Sequence, residues 1–463
     1  MSVGIEKRFK EYCEPIMEAL AHADRGQPAQ WYLKGLMLSG ERKSVEPMAA
    51  RVCPNNVRSA HQSMHHLVAA AQWDDRAVLD AVARQVVPGL LRKDEHCWWI
   101  LDDTGHAKKG RHSVGVARQY SGRLGKTDNC QVAVSLSLAN ARGSVPLDYR
   151  LYLPKEWSED RGRCRAAGVP QEVEFSTKGE IARTQIEAAR ARGVPEGVVL
   201  ADAAYGDEAG FRDGLRERGF DYVLAVRAAT CLWWGEHQPV PTRAATPGRP
   251  RTRLQRDARH RPIGVLELAR ALPAKAWRTM RWREGTNAPL SSRFARVRVK
   301  AANANRVREE EWLLIEWPAG DTEPSHYWLS TLAQNISFKA LVLNAKGRWM
   351  IERDYEELKS ELGLSHYEGR NWRGFHHHAT LCIAAYGFLM LERVSGKKNS
   401  ARFKEPPLPK GWSPRGAASG ATPRRVVDRH RAFLPGTRHR KSVAAMPVLR
   451  ATTDKTDQTL LTQ

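Results

Sequence analysis

The chain has 463 residues, enough for roughly two to four domains, and its 42% hydrophobic content is that of a globular protein rather than a disordered one. A formal net charge of +23 favours a polyanionic partner, either nucleic acid or a membrane surface. No apolar run reaches the roughly 18–20 residues that span a bilayer, so nucleic acid becomes the leading partner. The start, MSVGIEKRFKEY, is charged and predicts no secretory signal. Seven cysteines lie far apart, with no CxxC pair, which supports neither a disulfide framework nor a zinc knuckle. The expectation is a reduced, cytoplasmic protein.

Residues 1–95 read as all-helical. Ile5, Phe9, Tyr12, Ile16 and Leu20 mark one amphipathic helix, and Pro28 is placed to start a second. Glu46–Val52, a Pro54-Asn55-Asn56 break and then Val57–Ala71 give helix–turn–helix spacing, which ordinary helical bundles share. Asp74 is a candidate cap for a further helix up to Val87. From residue 96 the pattern changes. Cys97–Leu101, Gln131–Leu138 and Leu147–Leu153 read as strands, Lys178–Ala191 as a helix and Val198–Ala201 as a fully buried strand. Gly210–Arg218 follows as a helix and Tyr222–Val226 as a strand, so 96–226 predicts a mixed α/β sheet. Residues 227–330 break that rhythm with an Arg- and Pro-rich stretch. The β-like runs Phe294–Val299, Trp312–Trp317 and Tyr327–Leu332 then suggest a basic β-rich insertion. Residues 331–395 return to helix, at Arg348–Leu362 and Ala379–Leu391. Residues 396–463 read as a basic, disordered tail.

Three carboxylates stand out. Asp102 and Asp202 end predicted strands, where open α/β sheets bind ligands, although an aspartate there also serves as a helix cap or turn residue. Glu352 lies in RWMIERDYEELK, where helical spacing puts Arg348, Glu352 and Lys359 on one face and Ile351, Tyr355, Leu358 and Leu362 on an apolar one. A carboxylate beside cations is also an ordinary salt-bridged surface. Taken together, three such acids can hold two Mg²⁺ or Mn²⁺ ions about 3.5–4 Å apart, the arrangement that serves phosphodiester chemistry.

Leu101–Leu136 (LDDTGHAKKGRHSVGVARQYSGRLGKTDNCQVAVSL) resembles the first catalytic motif of DDE-superfamily insertion-sequence transposases of the insertion sequence 701 type. ADAAYGD (Ala201–Asp207) resembles their second motif and Arg348–Leu389 their third. The resemblance implies an RNase H-like core interrupted by a β-rich insertion before the last acid. It also implies that Asp102, Asp202 and Glu352 are the metal-binding catalytic residues. Asp103 competes with Asp102, which is preferred because Asp102-Asp103-Thr104 fits the related Asp, any residue, Thr or Ser pattern. In the wider cut-and-paste group the third motif begins with a tyrosine; here that position is Ala345.

By the same resemblance Arg348 and Lys359 would grip phosphates, and Trp349 and Trp328 would stack on a flipped base, unless both are core tryptophans. Lys108, Lys109, Arg111 and Arg118 follow the first aspartate, and would line a DNA groove or form a solvated basic face. His376-His377-His378 point in different directions around a helix and so cannot chelate one ion. The function implied is a two-metal cut-and-paste transposase. It would bind terminal inverted repeats through the helical region, act as a homodimer on paired double-stranded DNA ends, associate with the nucleoid, and leave a hairpin on the excised end. The alternatives are an inactive or repurposed DNA-binding protein, and an RNase H-like nuclease that does not transpose.

Overall fold

A computed structural model describes residues 3–40, 42–92, 95–121, 125–240, 254, 260–284, 289–303 and 305–398. Residues 3–90 hold α1 (Val3–Ala19), α2 (Ala23–Met37), α3 (Val45–Val52), α4 (Val57–Ala69) and α5 (Asp75–Leu90). The apolar stripe of α1, from Ile5 to Ile16, is buried. Helix α2 starts at Ala23 rather than at Pro28, because His22 caps it by accepting from the Asp24 amide. A single 3-10 turn, Pro54–Asn56, breaks α3 from α4. Asp74 caps α5, accepting from the Arg76 amide at 2.9 Å.

The sheet begins with β1 (Trp98–Ala107), β2 (Ala117–Ser121), β3 (Lys126–Asn140) and β4 (Gly143–Leu151). Short helices α6 (Lys155–Ser158) and α7 (Arg161–Ala166) lead to α8 (Lys178–Ala191), which opens on a Thr177/Glu180 capping box. Then come β5 (Val198–Ala201), α9 (Ala203–Gly206), α10 (Ala209–Glu217) and β6 (Tyr222–Val226). These strands lie in the order β4–β3–β1–β5–β6. The first three are antiparallel, and β5 and β6 run parallel to β1.

The segment after β6 adds β7 (Cys231–Trp233), β8 (Ile263–Gly264), α11 (Val265–Ala271), β9 (Arg278–Glu284), β10 (Pro289–Ala301), β11 (Glu310–Pro318) and β12 (His326–Ser330). It does not build a separate sheet. Strand β12 pairs antiparallel with β6, β11 with β12 and β10 with β11, so the strands described form one continuous sheet.

The chain closes with α12 (Phe338–Lys346), α13 (Trp349–Glu356) and α14 (Trp372–Lys398). The run expected as one helix from Arg348 to Leu362 is α13 followed by a π-helical turn over Glu357–Glu361, in which the Leu362 amide reaches back to the Glu357 carbonyl at 3.0 Å. Its apolar stripe, Ile351, Tyr355, Leu358 and Leu362, is buried throughout. Helix α14 is buried on nearly all sides between Phe375 and Met390, as its all-round apolar sequence requires. Tyr12 of α1 donates to the Ala384 carbonyl at 2.7 Å, and Arg8 grips Glu392 with two bonds, so the N-terminal helices pack directly on α14. Among the described residues no helix is long and apolar enough to cross a membrane. The predicted tail lies almost wholly outside the described residues.

Candidate active site

Asp102 sits within β1, not after it. The apolar run ends at Leu101, yet the strand continues to Ala107 because β3 pairs with it residue for residue, Asp102 opposite Ser135. What ends beside Asp102 is the parallel pairing: the last β1–β5 partners are Ile100 and Leu200. Asp102 and Asp202 therefore lie two residues beyond the same rung, side by side where β5 leaves the sheet. Asp202 also caps α9, accepting from the Ala204 amide at 2.9 Å. Gly206 closes that turn against β6, where an added Cβ would fall 1.8 Å from the Ala225 carbonyl oxygen, so only glycine fits. Asp207 then fastens the turn, accepting from the Arg227 amide at 3.0 Å and from the Thr230 hydroxyl at 2.8 Å.

Glu352 reaches the same place from the other end of the chain. Asn344 of α12 accepts from the Trp98 indole at 2.8 Å and from His96 Nε2 at 2.9 Å, which ties α12 to the start of β1. At the α12–α13 joint, a Cβ on Gly347 would lie 3.0 Å from both Leu200 and the Trp98 ring. Helix α13 thus enters against the two strands that deliver the aspartates.

Arg348 joins the acids. Its Nη1 donates to Asp102 Oδ1 at 2.8 Å, and its Nη2 lies 3.7 Å from Glu352 Oε1. Burial would depress the Arg348 pKa, but Asp102, Glu352 and Asp202 together push it above the ordinary arginine value. Burial raises the pKa of Glu352, and Arg348 offsets part of that rise. Three acids remote in sequence thus share the field of one guanidinium. Among the described residues, no group of three or more His, Cys, Asp or Glu side chains is arranged to hold a metal ion. The cation that organises the site here is Arg348. An all-oxygen donor set that already draws a cation fits a hard divalent ion in charge and chemistry.

Asp103 faces away from Asp102 across β1. It accepts from Lys178 Nζ at 2.5 Å and from the Tyr205 hydroxyl. Burial raises its pKa, while Lys178 and Tyr205 pull the other way. Lys178 and Tyr205 carry no mark of their own in the sequence; only the place of Tyr205 inside ADAAYGD hinted at its role.

The expected DNA-contacting residues divide. Trp349 is half-buried at the first turn of α13. Lys359 lies in the π turn, its ammonium 5.8 Å from the Tyr355 ring centroid. Lys109 is exposed beyond β1, and Arg118 is exposed on β2. Lys108 instead turns inward and donates to the Tyr367 carbonyl at 2.6 Å, and burial lowers its pKa. Arg348 is committed to carboxylates, not turned out toward a phosphate. Trp328 is 8% exposed, pinned between Ala225 and Leu314 in the sheet and stacked on His326, so a base does not reach it in this conformation. The histidine triplet is buried and binds backbone and a tyrosine. His376 accepts from the Leu151 amide at 3.2 Å, His377 stacks on Trp73 at 3.6 Å, and His378 pairs with the Tyr32 hydroxyl at 2.8 Å and the Gly363 carbonyl at 2.9 Å.

Residues 15–289 match a family model described as DDE superfamily endonuclease. That span covers more than half of the chain, includes both Asp102 and Asp202 and stops short of Glu352. The chain belongs to this family of DDE endonucleases. It is also 29% identical over 223 residues to a protein from Microchaete diplosiphon named "Probable transposase for insertion sequence element IS701". The match takes in 48% of this chain and 54% of that relative, so the chain spans about half the length of the curated relative it matches.

Proposed function

We propose that the chain is an insertion-sequence transposase that cuts and rejoins DNA strands with the carboxylates of Asp102, Asp202 and Glu352. The observation that carries this reading is that Asp102 of β1 and Glu352 of α13 meet at Arg348, while Asp202, at the end of β5, adds its charge to the same guanidinium. The strand order β4–β3–β1–β5–β6, with a β insertion before α13, supports an RNase H-like core. Mg²⁺ or Mn²⁺, two ions held by these acids, would supply an activated water and stabilise the leaving oxygen of an in-line displacement.

The chain's own residues do the rest. Without DNA, Arg348 neutralises acids that would otherwise repel one another. A phosphate brought to the site competes for that guanidinium, since a planar fork serves phosphate and carboxylate alike. Lys109, exposed past β1, Arg118, exposed on β2, and Lys359 in the π turn supply further positive charge for a DNA backbone. Away from the site, α4 presents Arg58, Ser59, Gln62, His65 and His66 to solvent and carries no acid, a surface suited to reading a groove of the inverted repeats. Two DNA ends handled together call for a dimer on DNA.

Plasmid excision with the gene's own flanking DNA tests the reading. Wild type excises the element, and Glu352→Ala binds the ends in a gel shift yet excises nothing. Ends that are bound but never nicked in Mg²⁺ contradict it, as does nicking of unrelated DNA with equal vigour.

A further inference from the structure

We propose that Asp103 is a positioning residue: together with Tyr205 and Lys178 it fixes the spacing between the two aspartate-bearing segments. This rests on reading Asp102 and Asp202 as cation ligands. Asp103 follows Asp102 directly and projects to the opposite side of β1. On that side it accepts from the Tyr205 hydroxyl through Oδ1 and from Lys178 Nζ through Oδ2.

Tyr205 belongs to α9, the short helix that Asp202 caps. The hydrogen bond from Tyr205 to Asp103 is therefore a side-chain bridge between the Asp102 strand and the Asp202 turn. The bridge has fixed abutments. Tyr205 is 2% exposed, its ring lies 5.6 Å from that of Phe211, and the next residue, Gly206, is pressed against the Ala225 carbonyl. Lys178 stands in the first turn of α8, a helix held on β3 by a bond from Gln185 to the Val134 carbonyl at 3.0 Å. It also gives the carboxylate the partner charge that a buried ion requires.

Cation ligands must sit within a few tenths of an ångström of their places. Two ligands on separate segments meet that demand only if the segments are held in register. Asp103 belongs to the first segment and reaches the second through Oδ1 and Tyr205, while its Oδ2 takes Lys178 of α8, which holds the carboxylate in place.

The test is Mn²⁺ binding to the full chain without DNA, followed by the electron paramagnetic resonance signal of the free ion. Far-UV circular dichroism confirms folding. Asp102→Asn removes a ligand and abolishes binding. Tyr205→Phe deletes only the bridging hydroxyl; it stays folded and binds Mn²⁺ about 10–100-fold more weakly. Asp103→Asn keeps an acceptor for Tyr205 and retains measurable binding. If Tyr205→Phe does not fold, Lys178→Gln loosens the same chain and is expected to weaken binding in the same range. Wild-type affinity in the bridge variant, or a loss in Asp103→Asn as complete as in Asp102→Asn, overturns the proposal. Unchanged binding in Asp102→Asn overturns instead the ligand reading beneath it.

Discussion

At the scale of single residues, Arg348 sets the charge balance of the site. Its hydrogen bond to Asp102 and its ion pair with Glu352 are made by a side chain that is about three-quarters buried. Replacing it by glutamine leaves the acids facing one another without a cation. The expected loss is roughly 1–3 kcal/mol of stability in metal-free buffer, read from urea unfolding. Added Mg²⁺ should then restore more stability to Arg348→Gln than it adds to wild type. Equal gains in the two proteins would mean that the guanidinium and the ion do not share a place. The three acids stand out in the sequence because each falls within an ordered motif. Asp103 was legible only as a rival for Asp102. Its actual partners come from α8 and α9, 75 and 102 residues away, and no local pattern announces them. Lys108 and Trp328 misled for a related reason: charge and aromaticity are visible in sequence, but the direction in which a side chain points is not.

At the scale of elements, the best-read pieces are those whose own residues decide them. Val198–Ala201 and Tyr222–Val226 are short apolar runs bounded by turn residues, and Lys178–Ala191 carries its own capping box, so all three have the expected bounds. Strand β1 runs on to Ala107, past the expected end at Leu101. Polar residues Asp102, Asp103, Thr104 and His106 continue it only because β3 supplies the partner groups, which is a tertiary effect. The turn after β5 gives a sharp prediction. Gly206→Ala puts a methyl group into the Ala225 carbonyl, with an expected cost of about 3 kcal/mol or more and loss of cleavage. A melting temperature and a cleavage rate equal to wild type would show that the turn is free to move. By contrast, Gly210→Ala in the next helix meets open space and should be tolerated.

At the scale of the whole molecule, α14 joins the N-terminal helices to the sheet, and its histidines make the joint. His376 meets β4 through the Leu151 amide, and His378 meets α2 through Tyr32. Burial lowers both pKa values from 6.5 to about 4. Because the folded pKa lies below the unfolded one, the unfolded chain takes up these protons first. The stabilisation is fully present above about pH 6.5 and is lost as pH falls toward 4, by up to about 3 kcal/mol per histidine. Asp354, its pKa raised to about 6 by burial, acts in the opposite sense over part of that range and offsets some of the loss. Urea midpoints should therefore fall on acidification in wild type and fall less steeply in His378→Gln. Parallel slopes would remove His378 from the account.

Asp102, Asp202 and Glu352 are proposed to hold the ions that support DNA cleavage. The most direct measurement is anomalous scattering from crystals of the chain bound to a DNA end and soaked in Mn²⁺. Strong peaks are expected within coordination distance of all three carboxylates, with Arg348 turned away from Asp102. Peaks at Asp103 in place of Asp102, or none near the three acids, would contradict that assignment.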